Sequence, residues 1–537
     1  MFVAQKAQGE SVTKRVHFSY AELKSDIRTG EDGEEYYFLS YPGTENDYLN
    51  FGAPSLPIKY VTISLPNRAD DISVKLRTFN VKSFTISNRI FPIQEPETTS
   101  FVKNQKKFIP CDSRIYESNA TYPLEQVRIA EISCVGQGNR LVVLEIFPVT
   151  YCPVENSYVF SEDIEITLTY KNSLNRSGML ASNTQAEIGI PFYEYCVITS
   201  QNLKEAFTRL IAWKREKGLN AGVVCKEDIL NNPYIVGDTV SSIYDDAGKI
   251  RQYLQYAYAS GVTKYVLFGG NDQILPIRYG ADINYFSNPS TYNGIPSDFY
   301  FSELNSNWNS DGDQYYGEPN EVTDYGMELY VGRILCTNSE EIQNYTNKLL
   351  RYEMIPGNGD FSYLKKALYT QDDQMQEGHE QDSIAAHLHS IFPLDTIFSE
   401  VPSGYAQNPT APYGNDVIAE MNEHYGYVSW GGHGHPNAIS VKSNGCNDSP
   451  HYAITSVQGN IPYITHETAN GMDNLANKDF PMFAYSISCS ITPFDVFNEY
   501  TEFPNIGQSF TLGKDYGGPV LVGNTRNGYV FFSARMQ

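Results

Sequence analysis

Near residue 175 the spacing of apolar residues changes, and that change fixes the broad architecture before any motif is considered. Up to it, short β-branched or alternating stretches such as YVTISLP (60–66), ISVKLRTF (72–79), LVVLEIFPV (141–149) and IEITLTY (164–170) are separated by turn clusters, and no run keeps a helical period. Residues 1–175 therefore read as an all-β sandwich. The polar stretch KNSLNRSGMLASNTQ (171–185) follows, and 176–190 read as a linker. Beyond it strands and helices alternate. Leu203, Phe207, Leu210, Ile211 and Trp213 form a helical stripe closed by Gly218, and AGVVC (221–225) reads as a buried strand. The series continues with a helix carrying Ile250, Tyr253, Leu254, Ala257 and Tyr258, the strand KYVLFGG (264–270), the strand LYVGRI (329–334) and a helix carrying Ile342, Tyr345, Leu349 and Tyr352. Strand ALYTQ (367–371), helices near 382–392 and 415–424, strand YVSW (427–430) and strand MFAYSIS (482–488) complete it. Such alternation predicts a mostly parallel sheet covered on both faces, with its chemistry at the carboxyl edge of the strands.

Composition narrows the class. The chain has 537 residues, 39 basic and 63 acidic, for a net charge of −24, and 41% of it is hydrophobic. That is too apolar for a disordered acidic chain and too acidic for a nucleic-acid binder. Eight cysteines stand singly, without a CxxC pair or the Cys/His spacing of a structural zinc site. No apolar run approaches the roughly 18 residues of a membrane-spanning helix. The start, MFVAQKAQGESVTKR, lacks a complete signal peptide, although FVAQKAQG fits the tail of a trimmed one, and the last residues, VFFSARMQ, suggest a chain cut short of its natural end.

Two strand ends stand out. YVSW runs into Gly431-Gly432-His433-Gly434-His435, and MFAYSIS runs into Cys489. Glycine on each side of His433 allows close backbone approach and leaves the imidazole and the Gly434 amide open to a ligand. A thiolate forms near neutral pH only beside a base or cation, and a His on an adjacent strand end supplies one. The pair thus fits a nucleophile and its base, with the amides of Gly434 and Cys489 as an oxyanion site. On these residues alone Cys489 stays open between that role and a buried, small apolar side chain.

A further feature is the segment 307–318. Asn307, Asn309, Asp311 and Asp313 place oxygen atoms at positions 1, 3, 5 and 7 of a calcium loop, with Gly312 at 6, Tyr315 at 9 and Glu318 at 12. Asn at position 1 departs from the usual Asp, and no flanking helices are evident, so a free-standing loop with a structural Ca2+ is expected.

His-Gly after one apolar strand, with a small residue plus Cys after the next, resembles the caspase-like clan of cysteine peptidases. Longer stretches resemble the gingipain family: LKEAFTRLIAWKREKGLNAGVV (203–224), YVLFGGNDQILPIR (265–278), SDFYFSELNSNWNSDGDQYYGE (297–318), YVGRI (330–334), NKLLRYE (347–353), WGGHG (430–434), SCSITPFD (488–495) and GGPVLVGNTRNGY (517–529). The β region resembles that family's prodomain in GAPSLPIK (52–59) and IFPVTYCPVENSYVF (146–160). The resemblance implies Cys489 as nucleophile, His433 as general base, the Gly434 and Cys489 amides as oxyanion hole, and Asp372, with Asp373 close behind, as the carboxylate that orients the histidine. It also implies Asp382, in HEQDS (379–383), as the acidic residue of a pocket for basic side chains; an ordinary helix N-terminus explains that residue as well. His435 and a longer interval between His433 and Cys489, from an insertion around 439–451, depart from the family pattern.

The expected molecule is a secreted or cell-surface cysteine endopeptidase made as a zymogen: a β-sandwich prodomain (1–175), a linker (176–190) with Arg176 as a candidate processing site, and a caspase-like α/β catalytic domain of two subdomains, 191–355 and 356–537. Its partners would be protein substrates and its own prodomain, with no nucleic acid and no membrane span. A transpeptidase of the type IX secretion machinery with the same dyad and an inert surface adhesin are the rivals; a glycan-binding or glycan-hydrolysing protein finds no singled-out carboxylate pair.

Overall fold

A computed structural model describes residues 10–46, 50–66, 69–94, 108–134, 140–172, 185–281, 294–318, 321, 326–371, 375, 380–399, 414–440, 452–458, 469–495 and 503–528. They form two compact units that divide near residue 181.

In the N-terminal unit the long strand Ser157–Asn172 pairs antiparallel with Glu10–His17, Ala69–Thr85 and Val149–Cys152. A second antiparallel sheet joins Pro57–Leu65, Arg140–Ile146 and Val127–Cys134. Period-two alternation puts Ile164, Ile166 and Leu168 of the first sheet into one buried core with Ile63, Leu65, Val142, Leu144 and Ile146 of the second. Polar partners such as Asp163 and Glu165 stay at the surface, where they pair with His17 and Arg15.

The larger unit holds two parallel sheets. Strands β1 (Tyr195–Thr199), β2 (Ala221–Cys225), β3 (Tyr265–Gly269) and β4 (Tyr330–Ile334) are ordered β2-β1-β3-β4. Strands β5 (Lys366–Gln371), β6 (Leu394–Ser399), β7 (Tyr427–Trp430), β8 (Phe483–Ser486) and β9 (Val520–Val522) are ordered β6-β5-β7-β8-β9. Every neighbouring pair in both sheets is parallel. The strands bury both faces. Val197 of β1 packs with Leu210 and Ile211 of helix α1 (Thr208–Glu216), whereas Cys196 and Ile198 pack with Ile250, Tyr253 and Leu254 of α2 (Asp246–Ala259). Ile342, Tyr345 and Leu349 of α3 (Ser339–Met354) join the α1 side. In the second sheet Ala367 and Tyr369 face Ile384 and Ala385 of α4 (Glu380–Leu388). Leu368, Val428 and Trp430 face Val417, Ile418 and Met421 of α5 (Gly414–Met421) and Phe510 of α6 (Ile506–Leu512).

Beside end shifts of a few residues, such as α4 closing at Leu388 and not near 392, two boundaries and one small sheet differ from the sequence reading. The stripe from Leu203 opens on a 3-10 turn, Lys204–Phe207, before α1 begins. Strand β8 stops at Ser486, two residues before the expected end, because the Ser486 hydroxyl donates to the Trp430 carbonyl (2.8 Å) and accepts the Ser488 amide (3.1 Å). The stretch between His433 and Cys489 also contains a small sheet of His433–His435, Ala438–Ser440, Tyr452–Thr455 and Asn470–Gly471, which the sequence reading did not find. Its strands have two to four residues, too few for a period to register. Arg176 lies outside the described residues.

Candidate active site

Strands β7 and β8 run side by side in register, Trp430 opposite Ser486. Three residues beyond Trp430 stands His433, and three beyond Ser486 stands Cys489, so both leave the sheet at its carboxyl edge. Gly434 closes the gap between them. A Cβ there would lie 2.2 Å from the Cys489 carbonyl oxygen and 2.5 Å from its amide nitrogen, so only glycine admits this backbone approach. The structure thus brings His433, Gly434 and Cys489 together at two adjacent strand ends. Cys489 is buried and His433 is half-buried.

The sulfur of Cys489 meets the backbone of Gly528, whose amide donates to Sγ at 3.1 Å and whose carbonyl accepts the longer hydrogen bond from the thiol, at 3.5 Å. Ser490, next in the chain, takes a left-handed φ of 50° and donates its amide to the Arg526 carbonyl at 2.6 Å. The Arg526 guanidinium forms a fork with Asp495, at 3.0 and 2.7 Å, and the Tyr279 hydroxyl donates to the same carboxylate at 2.8 Å. Arg526 holds the Asp495 carboxyl below the usual carboxylate range against the opposing pull of burial. Asp495 in turn helps push Asp272 up, after burial as the main cause.

His435 differs from His433. Its Nδ1 accepts the Asn437 amide (3.2 Å), and burial pushes its pKa down to about 4. It is neutral near pH 7 and adds no second cation beside the thiol. Cys196 and Cys336 behave as buried apolar groups: burial pushes both up to about 12, so neither is a thiolate near neutral pH.

Asp372 and Asp373 lie outside the described residues. Asp382 is exposed in the first turn of α4, while its neighbours Glu380 and Gln381 are buried. The sequence reading missed Gly528, Arg526 and Asp495. The motif GGPVLVGNTRNGY contains two of them, but a backbone donor leaves no mark in residue type.

The 307–318 loop folds back on itself. Backbone amides of Asn309, Asp313 and Tyr315 donate to the side chains of Asn307 (2.9 Å), Asp311 (3.1 Å) and Asp313 (2.7 Å). Gly312 takes a left-handed φ of 80° at the sharp turn. Carboxylate oxygens of Asp311, Asp313 and Glu318 gather within 4.8 Å of one another. Asn309 Oδ1 is buried with no hydrogen-bond partner. Clustered like charges and an unfilled acceptor fit a hard cation with oxygen ligands.

The family model for the C25 propeptide matches residues 3–187, and that for peptidase family C25 matches residues 192–537. Lys-gingipain of Porphyromonas gingivalis is 22% identical over 517 residues, covering 89% of this chain and 25% of that protein. The chain therefore spans about a quarter of the length of the curated relatives it matches. Among solved structures, the Arg-specific cysteine proteinase gingipain R is 17% identical with a TM-score of 0.42, over 64% of this chain and 65% of that one. A structure on the zymogenic latency of gingipain K from P. gingivalis is 19% identical with a TM-score of 0.27, over 32% of this chain and 97% of that one. The residues that gather at the β7 and β8 ends fall inside the longer of the two matches, which alone spans more than half the chain, and so the chain belongs to the gingipain family of cysteine peptidases, family C25, and carries that family's propeptide region.

Proposed function

We propose that the chain is the zymogen form of a secreted cysteine endopeptidase, with a β-sandwich prodomain and a caspase-like catalytic domain, and that Cys489 and His433 are its dyad. The observation that carries this reading is the register of β7 and β8, which delivers both residues at equal distance beyond a paired rung, with Gly434 pressed on the Cys489 backbone.

His433 takes the Cys489 proton, and the thiolate attacks the scissile carbonyl carbon. The amides of Gly434 and Cys489 receive the negative oxygen. His433 returns the proton to the leaving amine, giving an acyl-enzyme. Water, deprotonated by the same imidazole, then releases the acid and restores the thiol. Asp372 orients His433, and Asp382 gives a preference for cleavage after basic residues. Processing after Arg176 separates the two regions. Calcium held by Asn307, Asn309, Asp311, Asp313, Tyr315 and Glu318 stiffens the loop and takes no part in the chemistry.

A panel of peptide substrates varied at the residue before the cut tests the whole assignment on wild type, Cys489→Ala and His433→Ala. Both variants should lose turnover by at least about a thousandfold, in line with losses for nucleophile and base in other hydrolases. Equal turnover by wild type and Cys489→Ala overturns it. A wild type that prefers uncharged residues removes the role of Asp382 alone.

A further inference from the structure

The loop after β9 runs antiparallel to the segment that carries Cys489. The Thr492 amide donates to the Asn524 carbonyl at 3.2 Å and the Ser490 amide to the Arg526 carbonyl at 2.6 Å, two rungs two residues apart. A regular ladder continues in steps of two, so its next rung would join residue 488 to residue 528 through backbone groups. Neither amide makes that bond. Ser488 donates to the Ser486 hydroxyl, and Gly528 donates to Cys489 Sγ at 3.1 Å. The left-handed turn at Ser490 swings the chain so that a side-chain sulfur stands where a carbonyl would accept.

We propose that the Gly528 backbone amide stabilises the Cys489 thiolate, and that Arg526, through its ion pair with Asp495, is the positioning residue that holds that amide on the sulfur. This rests on Cys489 being the nucleophile and adds a second source of thiolate stabilisation beside His433. A hydrogen bond donated to the charged form favours that form. The amide is fixed from several sides. A Cβ at 528 would lie 1.8 Å from the Ile487 carbonyl oxygen, and the Asn524 side chain donates to the same oxygen at 2.6 Å. Arg526 acts twice, with its carbonyl on Ser490 and its guanidinium on Asp495. The pair is nine-tenths buried, and Tyr279 and the Thr525 hydroxyl, which donates to the Pro296 carbonyl at 2.9 Å, bind the loop to the first-sheet half of the same unit. Among the described residues, the charged and titratable groups on the segments next to Cys489 are His433 and His435 on the facing strand end and Asp495 and Arg526, with Asp272 beyond Asp495. Among the described residues His433 is a second group able to set the thiol's ionisation, so alkylation is measured with and without it.

The test is the pH dependence of iodoacetamide alkylation at Cys489 in the full chain, followed by peptide mass spectrometry to separate it from the other thiols. Arg526→Lys keeps the charge and loses the fork. It should raise the apparent thiol pKa by about one unit, a tenfold smaller thiolate fraction below that pKa, both in the natural background and in His433→Ala. A merely structural role would lower the melting temperature and leave the thiol pKa unmoved, and that result overturns the proposal. Should Arg526→Lys fail to fold, Tyr279→Phe takes its place; it removes one hydrogen bond to Asp495 and should move the pKa the same way by a smaller step, and no movement overturns the proposal equally. Peptide hydrolysis by Cys489→Ala separates the two levels. If that variant is active, the nucleophile assignment fails; if it is inactive while the thiol pKa ignores Arg526, only the role of Gly528 and Arg526 fails.

Discussion

Gly434 sets a steric condition that can be tested by one methyl group. Its substitution by Ala puts carbon within 2.5 Å of two backbone atoms of Cys489, so the two strand ends must separate. A displacement near 1 Å at a reacting centre costs about a hundredfold in rate. Gly434→Ala should therefore lower kcat/KM by at least about that factor in the protein that remains folded, and overpacking of this buried site should also cost about 1–3 kcal/mol of stability, as measured by peptide hydrolysis and calorimetry on the same preparation. His435 gives a second prediction at this scale, on stability. Its folded pKa, about 4, lies below the ordinary histidine value near 6.5. Between those values the unfolded chain binds the proton and the folded one does not, so stability rises with pH across that window and is lost as pH falls from 6.5 toward 4. The full effect is at most about 3 kcal/mol. His435→Gln keeps an acceptor for the Asn437 amide and should flatten this limb. Parallel melting curves for both proteins from pH 7 to pH 4 would refute it.

Secondary-structure elements were legible in the sequence where a period could express itself. The helices α2 and α3 and the strands β1, β3, β5 and β7 each carry enough apolar residues to show which faces they bury. The end of β8 was not, because one serine hydroxyl, bonded at once to Trp430 and Ser488, stops the strand and no apolar pattern encodes that. Asn524 to Gly528 escaped for a related reason. TRNG has no period, and what it contributes is an amide and an ion pair to a residue 31 positions earlier in the chain. Helix α3 holds a group the sequence pattern did not flag. Lys348 is buried, donates to the Phe510 carbonyl at the end of α6 (2.6 Å), and burial pushes its pKa down to about 7. Because its ordinary value is about 10.5, the unfolded chain again holds more protons between 7 and 10.5, and stability contributed by this site rises with pH there. Lys348→Met removes the cost of burying an ammonium, and the Phe510 carbonyl keeps the Gly518 amide at 3.2 Å. The variant should be more stable than wild type by about 1 kcal/mol at pH 7, and the difference should shrink by pH 9.5, as read from denaturant unfolding at both pH values. A destabilised variant at pH 7 would show that the ammonium's hydrogen bond outweighs its desolvation.

Across the whole molecule the −24 charge must be accommodated, and the 307–318 loop is where acidic groups crowd most visibly among the described residues. This loop is wired to the core of the larger unit. Trp308, almost wholly buried, donates its indole N–H to Glu303 at 2.9 Å, and Glu303 shares with Asp238 the fully buried guanidinium of Arg251. Arg251 also donates to the Ser306 carbonyl at 3.0 Å. A buried ionic cluster of this kind tolerates little displacement, because any partner lost leaves a desolvated charge. Cation binding at Asp311, Asp313 and Glu318 would therefore stabilise more than the loop. At a calcium concentration about a hundred times the dissociation constant, linkage gives about 2.7 kcal/mol. In a unit of this size that corresponds to a rise in melting temperature on the order of 5 °C. Calorimetry of the full chain in calcium and then in EGTA should show that fall in the transition of the larger unit, and Asp311→Asn combined with Glu318→Gln should melt at one temperature in both buffers. Equal melting of the wild type with and without chelator would mean that the carboxylates are a solvated cluster, with their repulsion relieved by water and screening salt instead of by a bound ion.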